Sequence, residues 1–316
     1  MFKPLLSICI PTYNRAAYLE KTIQSIVMQP EFIERKVEIV ISDNASSDNT
    51  EEVCRKYEKK YENFLYFKNE VNIRDKNFPL VLGYGHGRLR KLNNDTLMYS
   101  EGSLSIICKM IEKYKEERNP VFFSNKKGGA VIRKLNFREF MKVISFNITY
   151  IGSFAIWEDD CDAIANDVEN CDLLLWQVGK FLKLASQAKE VNLFDYPFGS
   201  IQNVEKKNIS YGLYQVFYKN YFHIIQTYFD NNELLECDRE FLERDLLYNF
   251  FLQWIVQWEL QQTNLLYSET ENLKKEVFDQ YKNKEYWRDF YVRYTYQLCK
   301  MKIVNFIMHI LRRDTH

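Results

Sequence analysis

Two short polar stretches stand where a ligand could be held. Pro11-Thr-Tyr-Asn-Arg15 follows an apolar run that opens at Ser7-Ile-Cys-Ile10, and Ser42-Asp43-Asn44-Ala-Ser-Ser-Asp48-Asn-Thr50 follows the run Val37–Ile41. Hydroxyls, amides and carboxylates at the ends of apolar runs offer hydrogen bonds to a polar ligand. Further acids lie at Asn93-Asn94-Asp95, Glu158-Asp159-Asp160 and Asp172. A carboxylate can take a proton or contribute oxygen to a hard cation. Glu158-Asp159-Asp160 directly follows an apolar run, where a solvated helix start prefers acids, so structural work is expected of it. His86, His223, His309 and His316 show no ligand spacing. The seven cysteines are scattered with no Cys-x-x-Cys, which points to reduced, buried thiols and away from a disulfide framework or a zinc site. Gly83-Tyr-Gly-His-Gly87 lacks the third glycine of a dinucleotide loop, since Arg88 stands there, and is expected only to turn the chain into a strand, Arg88–Leu92.

The elements that must position these residues follow from apolar periodicity. Ser7 onward reads as a buried strand ending at Pro11. Asn14 is the expected N-cap of a helix whose Leu19, Ile23, Ile26 and Val27 share a face. Val37–Ile41 is a second strand, and strand–helix–strand implies parallel pairing with both polar loops at the carboxyl ends, where open α/β sheets bind ligands. A charged helix over 50–61, a strand Phe64–Phe67, a helix Ser103–Tyr114, a strand Pro120–Ser124 and a helix Asn136–Phe146 follow. Asp172 directly precedes an amphipathic helix carrying Leu174, Val178, Phe181 and Leu182, where its structural alternative is an N-cap. From Gly212 the pattern is helical and rich in Tyr, Phe and Trp. Near the end Ile303, Phe306, Ile307, Ile310 and Leu311 form a stripe opposite Lys302, Asn305, His309 and Arg312.

Ser7–Asn14 and Ile39–Thr50 together resemble the amino terminus of the family-2 inverting glycosyltransferases, which begin Ser-(apolar)3-Pro-x-Tyr-Asn and later carry an Asp-(Asp/Asn)-x-Ser-x-Asp-x-Thr stretch. The resemblance covers roughly residues 5–210. It implies an α/β fold of the GT-A type, a nucleotide-sugar-binding, Rossmann-like mixed sheet flanked by helices, over residues 1–211, with a helical domain over 212–316. It further implies a donor site of Pro11, Tyr13, Asn14, Arg15, Asp43 and Asn44, with Asn72, Asp75 and Asn77 from a loop facing the nucleotide. Arg74 stands where that loop usually has glycine. Asn94 and Asp95 fall at the family's Asp-x-Asp motif, so a divalent cation, Mg2+ or Mn2+, is expected on Asp95, although Asn93-Asn94 replaces the usual acids. The alternative for this loop is capping of the next helix. Gly152 and Ser153, on a strand over 150–157, would border the acceptor, Lys206 and Lys207 the diphosphate, and Asp172 would be the general base.

Forty-three basic and 43 acidic residues in 316 cancel, so no nucleic-acid footprint is visible. No signal-like run precedes Leu5, and no run approaches the ~18 apolar residues of a membrane span. The resemblance implies transfer of a sugar from a nucleoside-diphosphate donor, UDP-linked by expectation, to a hydroxyl of a glycan or lipid-linked glycan in cell-surface polysaccharide synthesis. The setting is cytoplasmic or peripheral on the inner membrane face, with the carboxyl-terminal helices meeting a membrane surface or a second copy. The rivals are a non-catalytic nucleotide-sugar-binding or scaffold protein and a nucleotidyltransferase. The latter needs a glycine-rich stretch after the first strand, which Pro11-Thr-Tyr-Asn is not.

Overall fold

The computed structural model describes residues 3–125, 129–204, 207–209, 211–260, 265–267 and 272–313. Chain order in the first part is β1 (Leu6–Thr12), α1 (Ala16–Val27), α2 (Pro30–Ile33), β2 (Val37–Asp43), α3 (Thr50–Glu58), β3 (Phe64–Lys68), α4 (Asn77–Gly83), β4 (Leu89–Leu92), β5 (Leu97–Tyr99) and α5 (Ser103–Tyr114). There follow β6 (Val121–Ser124), β7 (Val131–Leu135), α6 (Phe137–Ile144), β8 (Ala155–Trp157), α7 (Trp176–Gln187), β9 (Val191–Asp195) and β10 (Gly199–Ile201). The main sheet has the order β3-β2-β1-β4-β8. β1 to β4 pair in parallel and β8 runs antiparallel to β4. A second sheet, β6-β9-β7, and the antiparallel pair β5-β10 are separate from it.

The sheet is buried because its strands are almost continuously apolar, as parallel strands covered on both faces must be. Every residue of β2 is buried, Glu38 included. The expected face of α1 is the one that packs, with Leu19, Ile23, Ile26 and Val27 inside. α5 has the expected bounds. Asn136 caps α6 with a reciprocal box to Glu139, a device that satisfies two helix-end N–H groups.

Two expectations change. The residue at the N-cap of α1 is Arg15, because Asn14 adopts a left-handed φ of 52° and turns the chain first. The strand expected over 150–157 is a 3-10 turn, Ile151–Ser153, followed by the three residues of β8. Gly83–Gly87 does turn the chain into β4, and its glycines allow close approach to β1. A Cβ on Gly87 would lie 2.5 Å from the Ser7 amide nitrogen. Ser7 Oγ, in turn, donates to Glu38 at 2.5 Å and accepts from Gly87 N at 2.7 Å.

The chain divides into two compact units, Met1–Asn203 with Ile224–Thr227 and Val204–His223 with Tyr228–His316. The division falls before the expected 211/212 boundary because β11 (Lys207–Ile209) pairs with β12 (Leu265–Tyr267), inside the second unit. That unit is helical as expected, with α8 (Tyr221–Asp230), α9 (Glu236–Leu246), α10 (Leu252–Glu259), α11 (Leu273–Tyr281) and α12 (Trp287–Arg313). Phe278, Trp287, Phe290 and Tyr294 pack as an aromatic cluster between α11 and the first turns of α12. Among the described residues no helix is long and apolar enough to cross a membrane.

Gly87→Ala is expected to lower folding stability by about 1–3 kcal/mol, the usual cost of forcing atoms into a packed backbone contact. Denaturant unfolding measures it, and an unchanged midpoint would show that β1 does not depend on this approach.

Candidate functional site

The carboxyl ends of β1, β2, β3 and β4 carry loops whose backbone continues the sheet ladder. Asn44 N donates to Thr12 O at 2.9 Å, Asn69 N to Asp43 O at 2.8 Å and Asn93 N to Cys9 O at 2.8 Å. These bonds place the polar loops side by side along one edge.

Asp43 is fully buried. One of its carboxylate oxygens accepts from Ser46 N at 2.8 Å and the other from the Tyr66 hydroxyl at 2.7 Å. Burial, and then this bond to Asp43, push the Tyr66 hydroxyl well above the usual phenol range. Asp43 was expected to face the ligand, but it holds the loop that follows it. Ser46 then accepts from Asn14 N at 2.8 Å, Asn14 Oδ1 accepts from Ser47 N at 2.7 Å, and Asp48 accepts from Ala16 N at 3.0 Å. Pro11 and Arg15 are half-buried beside this interlock, and Tyr13 and Asn14 are exposed.

A second network ties the loops after β2 and β3. Asn44 donates to Asn72 Oδ1 at 2.9 Å and accepts from Ile73 N at 2.8 Å and Asn69 at 3.2 Å. Asn77, also buried, accepts from Ser42 Oγ at 2.6 Å and donates to Ser42 O at 2.9 Å. Arg74 takes the left-handed region at φ 53°, which explains why glycine suits the position.

Asp95 lies across from β1. Its carboxylate accepts from Thr12 Oγ1 at 3.2 Å and from Arg15 at 3.5 Å, while its backbone oxygen accepts from Thr22 Oγ1 at 2.8 Å. It does not cap the following helix, because β5 intervenes and Gly102 is the N-cap of α5. The Asn93 side chain turns inward, donating to Asn94 O and Leu97 O. The Asn93 and Asn94 side-chain oxygens are buried without a hydrogen-bond partner. One carboxylate with neighbouring unfilled amide oxygens fits a hard cation that takes its remaining ligands from phosphate and water. Among the described residues no three His, Cys, Asp or Glu side chains gather as a self-sufficient metal cage.

Asp172 is exposed on a 3-10 turn, Cys171–Leu173, and not at the start of the helix. The residue at the N-cap of α7 is Leu175, so Asp172 does no capping. The turn is bracketed by left-handed Asn170 and Leu174 and anchored by Asp167, which pairs with Lys180 at 3.1 Å and accepts from Trp176 Nε1 at 3.3 Å. Asp172 shares a pocket of about 270 Å³ with Asn72, Arg74, Asp75 and Lys76. Burial, opposed in part by Arg74, raises the Asp75 carboxyl to about 7, and its Oδ2 is buried without a partner.

Gly152 and Ser153 are buried, and a Cβ on Gly152 would meet the Tyr150 ring at 2.9 Å. Lys206 lies outside the described residues, and Lys207 is placed only by its backbone on β11. Glu158 and Asp159 form ion pairs with Lys3 and Arg118, in keeping with structural work. A separate cavity, about 660 Å³ and lined by Arg35, Glu38, His86 and Arg90, lies at the amino ends of the strands, away from these loops. Thr12 and Ser46 lie in the two polar stretches, whereas Thr22, Tyr66 and Asn69 were not among the expected site residues. Asn69, just past β3, gave a polar signal, but a hydroxyl within a strand or helix looks like any other periodic position.

The sequence and the fold both resemble those of known proteins. Residues 7–75 match the model described as Glycosyl transferase family 2. Abequosyltransferase RfbV of Salmonella typhimurium is 35% identical over 126 residues, 39% of this chain and 36% of that protein. A validoxylamine A glucosyltransferase of Streptomyces hygroscopicus is 41% identical over 71 residues, 22% of this chain and 17% of that one. The chain therefore spans well under half the length of these relatives. S. aureus TarS 1-349 superposes with a TM-score of 0.58 at 17% identity, covering 80% of this chain and 77% of that one. The same protein in complex with UDP gives 0.56 at 16% identity, covering 92% and 88%. These superpositions show a shared GT-A fold.

Asp75 supplies a pH test. Its folded pKa stands well above the usual carboxylate range, so the folded state keeps a proton that the unfolded chain releases. That contribution is intact below about pH 4 and is lost as pH rises towards 7. Asp75→Asn should remove this decline, so the variant gains in melting temperature over the parent at pH 8 but not at pH 4. Parallel pH profiles for the two proteins would contradict it.

Proposed function

We propose, from the match of residues 7–75 to the glycosyl transferase family 2 model, that the protein transfers a sugar from a nucleoside diphosphate to a hydroxyl of a glycan or lipid-linked glycan in cell-surface polysaccharide synthesis, inverting the anomeric centre. The observation that carries this reading is the meeting, beyond the strand ends, of the Pro11–Arg15, Asp43–Asp48 and Asn93–Asp95 loops. A donor bound along that edge would lie against the exposed Tyr13 and Asn14 and the Thr12–Asp95–Arg15 group. The complex of TarS with UDP makes a UDP-linked donor the first to test.

In a direct displacement the acceptor oxygen bonds to the anomeric carbon while the bond from that carbon to the diphosphate oxygen breaks. The acceptor proton passes to a carboxylate, and we assign that role to Asp172. It is exposed and free of capping duty, and it opens onto the pocket shared with the Asn72–Lys76 loop. Asp95, with the amide oxygens of Asn93 and Asn94, would hold a Mg2+ or Mn2+ ion, which when bound neutralises charge on the departing diphosphate. Arg15 brings a fixed positive charge to the same carboxylate. α12 extends this reading to a peripheral location on the cytoplasmic face. It exposes Ile303, Val304, Phe306 and Ile307 beside exposed Lys300 and Lys302, a combination suited to an anionic membrane surface. The same face would also serve a second copy.

The rival, a non-catalytic nucleotide-sugar-binding protein, rests on the amides at positions 93 and 94. Transfer from a panel of UDP-sugars to a lipid-linked glycan fraction separates the two. Asp172→Asn should bind UDP normally, melt like the parent and lose about 10²–10⁴-fold in rate, the usual worth of a general base. Retention of more than about a tenth of the rate, less than that range allows, would remove Asp172 from the chemistry. Asp95→Asn should abolish any gain in donor affinity on adding Mn2+. If the parent binds and transfers equally well in chelator, Arg15 and not a cation meets the diphosphate.

A further inference from the structure

Lys91 is a cation in the wrong place for stability. It sits in β4 with no solvent exposure, and among the described residues no carboxylate pairs with it. Its Nζ donates to Gly152 O at 2.6 Å and to Leu92 O at 3.2 Å. The rings of Phe198, Phe123 and Tyr99 surround it at 4.7, 5.3 and 5.8 Å from their centroids. Burial pulls its pKa down to about 7. An ammonium without a counter-ion costs free energy, and an apolar side chain of like volume would pack there more favourably.

What the lysine does is join two segments. The carbonyl it holds belongs to the turn Ile151–Ser153, whose close packing of Gly152 on Tyr150 leaves no room for a Cβ. The strand it stands on runs within two residues into Asn93-Asn94-Asp95. Beyond it, Leu92 N donates to Phe154 O at 3.0 Å, so two bonds clamp the strand end, one to the turn and one to the segment after it. Cation-to-carbonyl bonds are stronger than neutral ones, and this is the one that reaches the turn itself.

We infer that Lys91 is a positioning residue, which fixes the Ile151–Ser153 turn against the strand end that carries Asp95 and so sets the acceptor side of the site relative to the diphosphate side. The inference rests on the glycosyltransferase reading for its consequence in catalysis, but its structural part stands apart from it.

The test is Lys91→Met, which fills the volume and makes no bond to the carbonyl. It should melt at or above the parent, and hydrogen exchange in residues 150–154 should quicken while the rest of the sheet stays protected. With UDP-sugar and the lipid-linked glycan fraction, the apparent KM for glycan should rise about tenfold, the worth of one charged hydrogen bond, with the KM for donor within about twofold. Lys91→Gln, which keeps a donor on a shorter arm, should fall between the two and serves if the methionine variant does not fold. Unchanged exchange at 150–154, or a uniform loss of protection with a lower melting temperature, would overturn the inference. If the parent transfers no sugar, the proposed function falls, and the exchange measurement still decides the role of Lys91.

Discussion

The site depends on one buried carboxylate. Asp43 has no exposure to water, and a charge in that position survives only if protein donors replace its hydration. Tyr66 O–H and Ser46 N–H do so. By holding Ser46, Asp43 fixes the loop that accepts Asn14 N–H and presents Ser47 N–H and Asp48 to the residues opening α1. The loop after β1 and the loop after β2 are thus one interlocked object, and the left-handed turn at Asn14 is part of it. Removing Asp43 would leave two buried donors unsatisfied, each costing about 1–3 kcal/mol. A loss of ligand binding on its removal would therefore report on loop order as much as on contact.

From that interlock the site extends in two directions. Towards β4, Thr12 and Arg15 meet Asp95, and Thr22 on α1 holds the Asp95 backbone. Towards β3, the asparagines 44, 69, 72 and 77 tie the strand ends to the loop that shares a pocket with Asp172. Amides suit this work because each both donates and accepts, so a chain of them closes without leaving charge buried. The same economy is missing around Lys91, and there the imbalance itself points to a task other than stability.

Much of the first unit was legible in the sequence because its strands are continuously apolar and its loops sharply polar. β1, β2, β4, α1 and α5 lie where periodicity placed them, within a residue or two. The second sheet was less legible. β9 follows a helix with no turn residue of strong signal, and β7 is half exposed with only five residues. The position of Asp95 followed from chain order, but its partners Thr12 and Thr22 are 83 and 73 residues away and no local pattern announces them. Asn14 has a good capping side chain and was displaced from the cap by its own left-handed backbone. Asp172 sits ahead of an apolar periodicity that begins before the helix does, so the sequence merges a 3-10 turn with α7. Burial of Asp43, Gly152 and Lys91 is a property of layers meeting in space, which composition along the chain does not encode.

If a nucleotide sugar lies across the carboxyl ends of β1, β2 and β4, as proposed above, diffraction from crystals soaked with UDP and Mn2+ will show it. The nucleotide is expected against Pro11–Arg15 and Asn44, with its diphosphate beside Arg15 and Asp95. UDP lodged at the amino ends of the strands, among Arg35, Glu38 and His86, or bound nowhere at saturating concentration, would contradict the proposal.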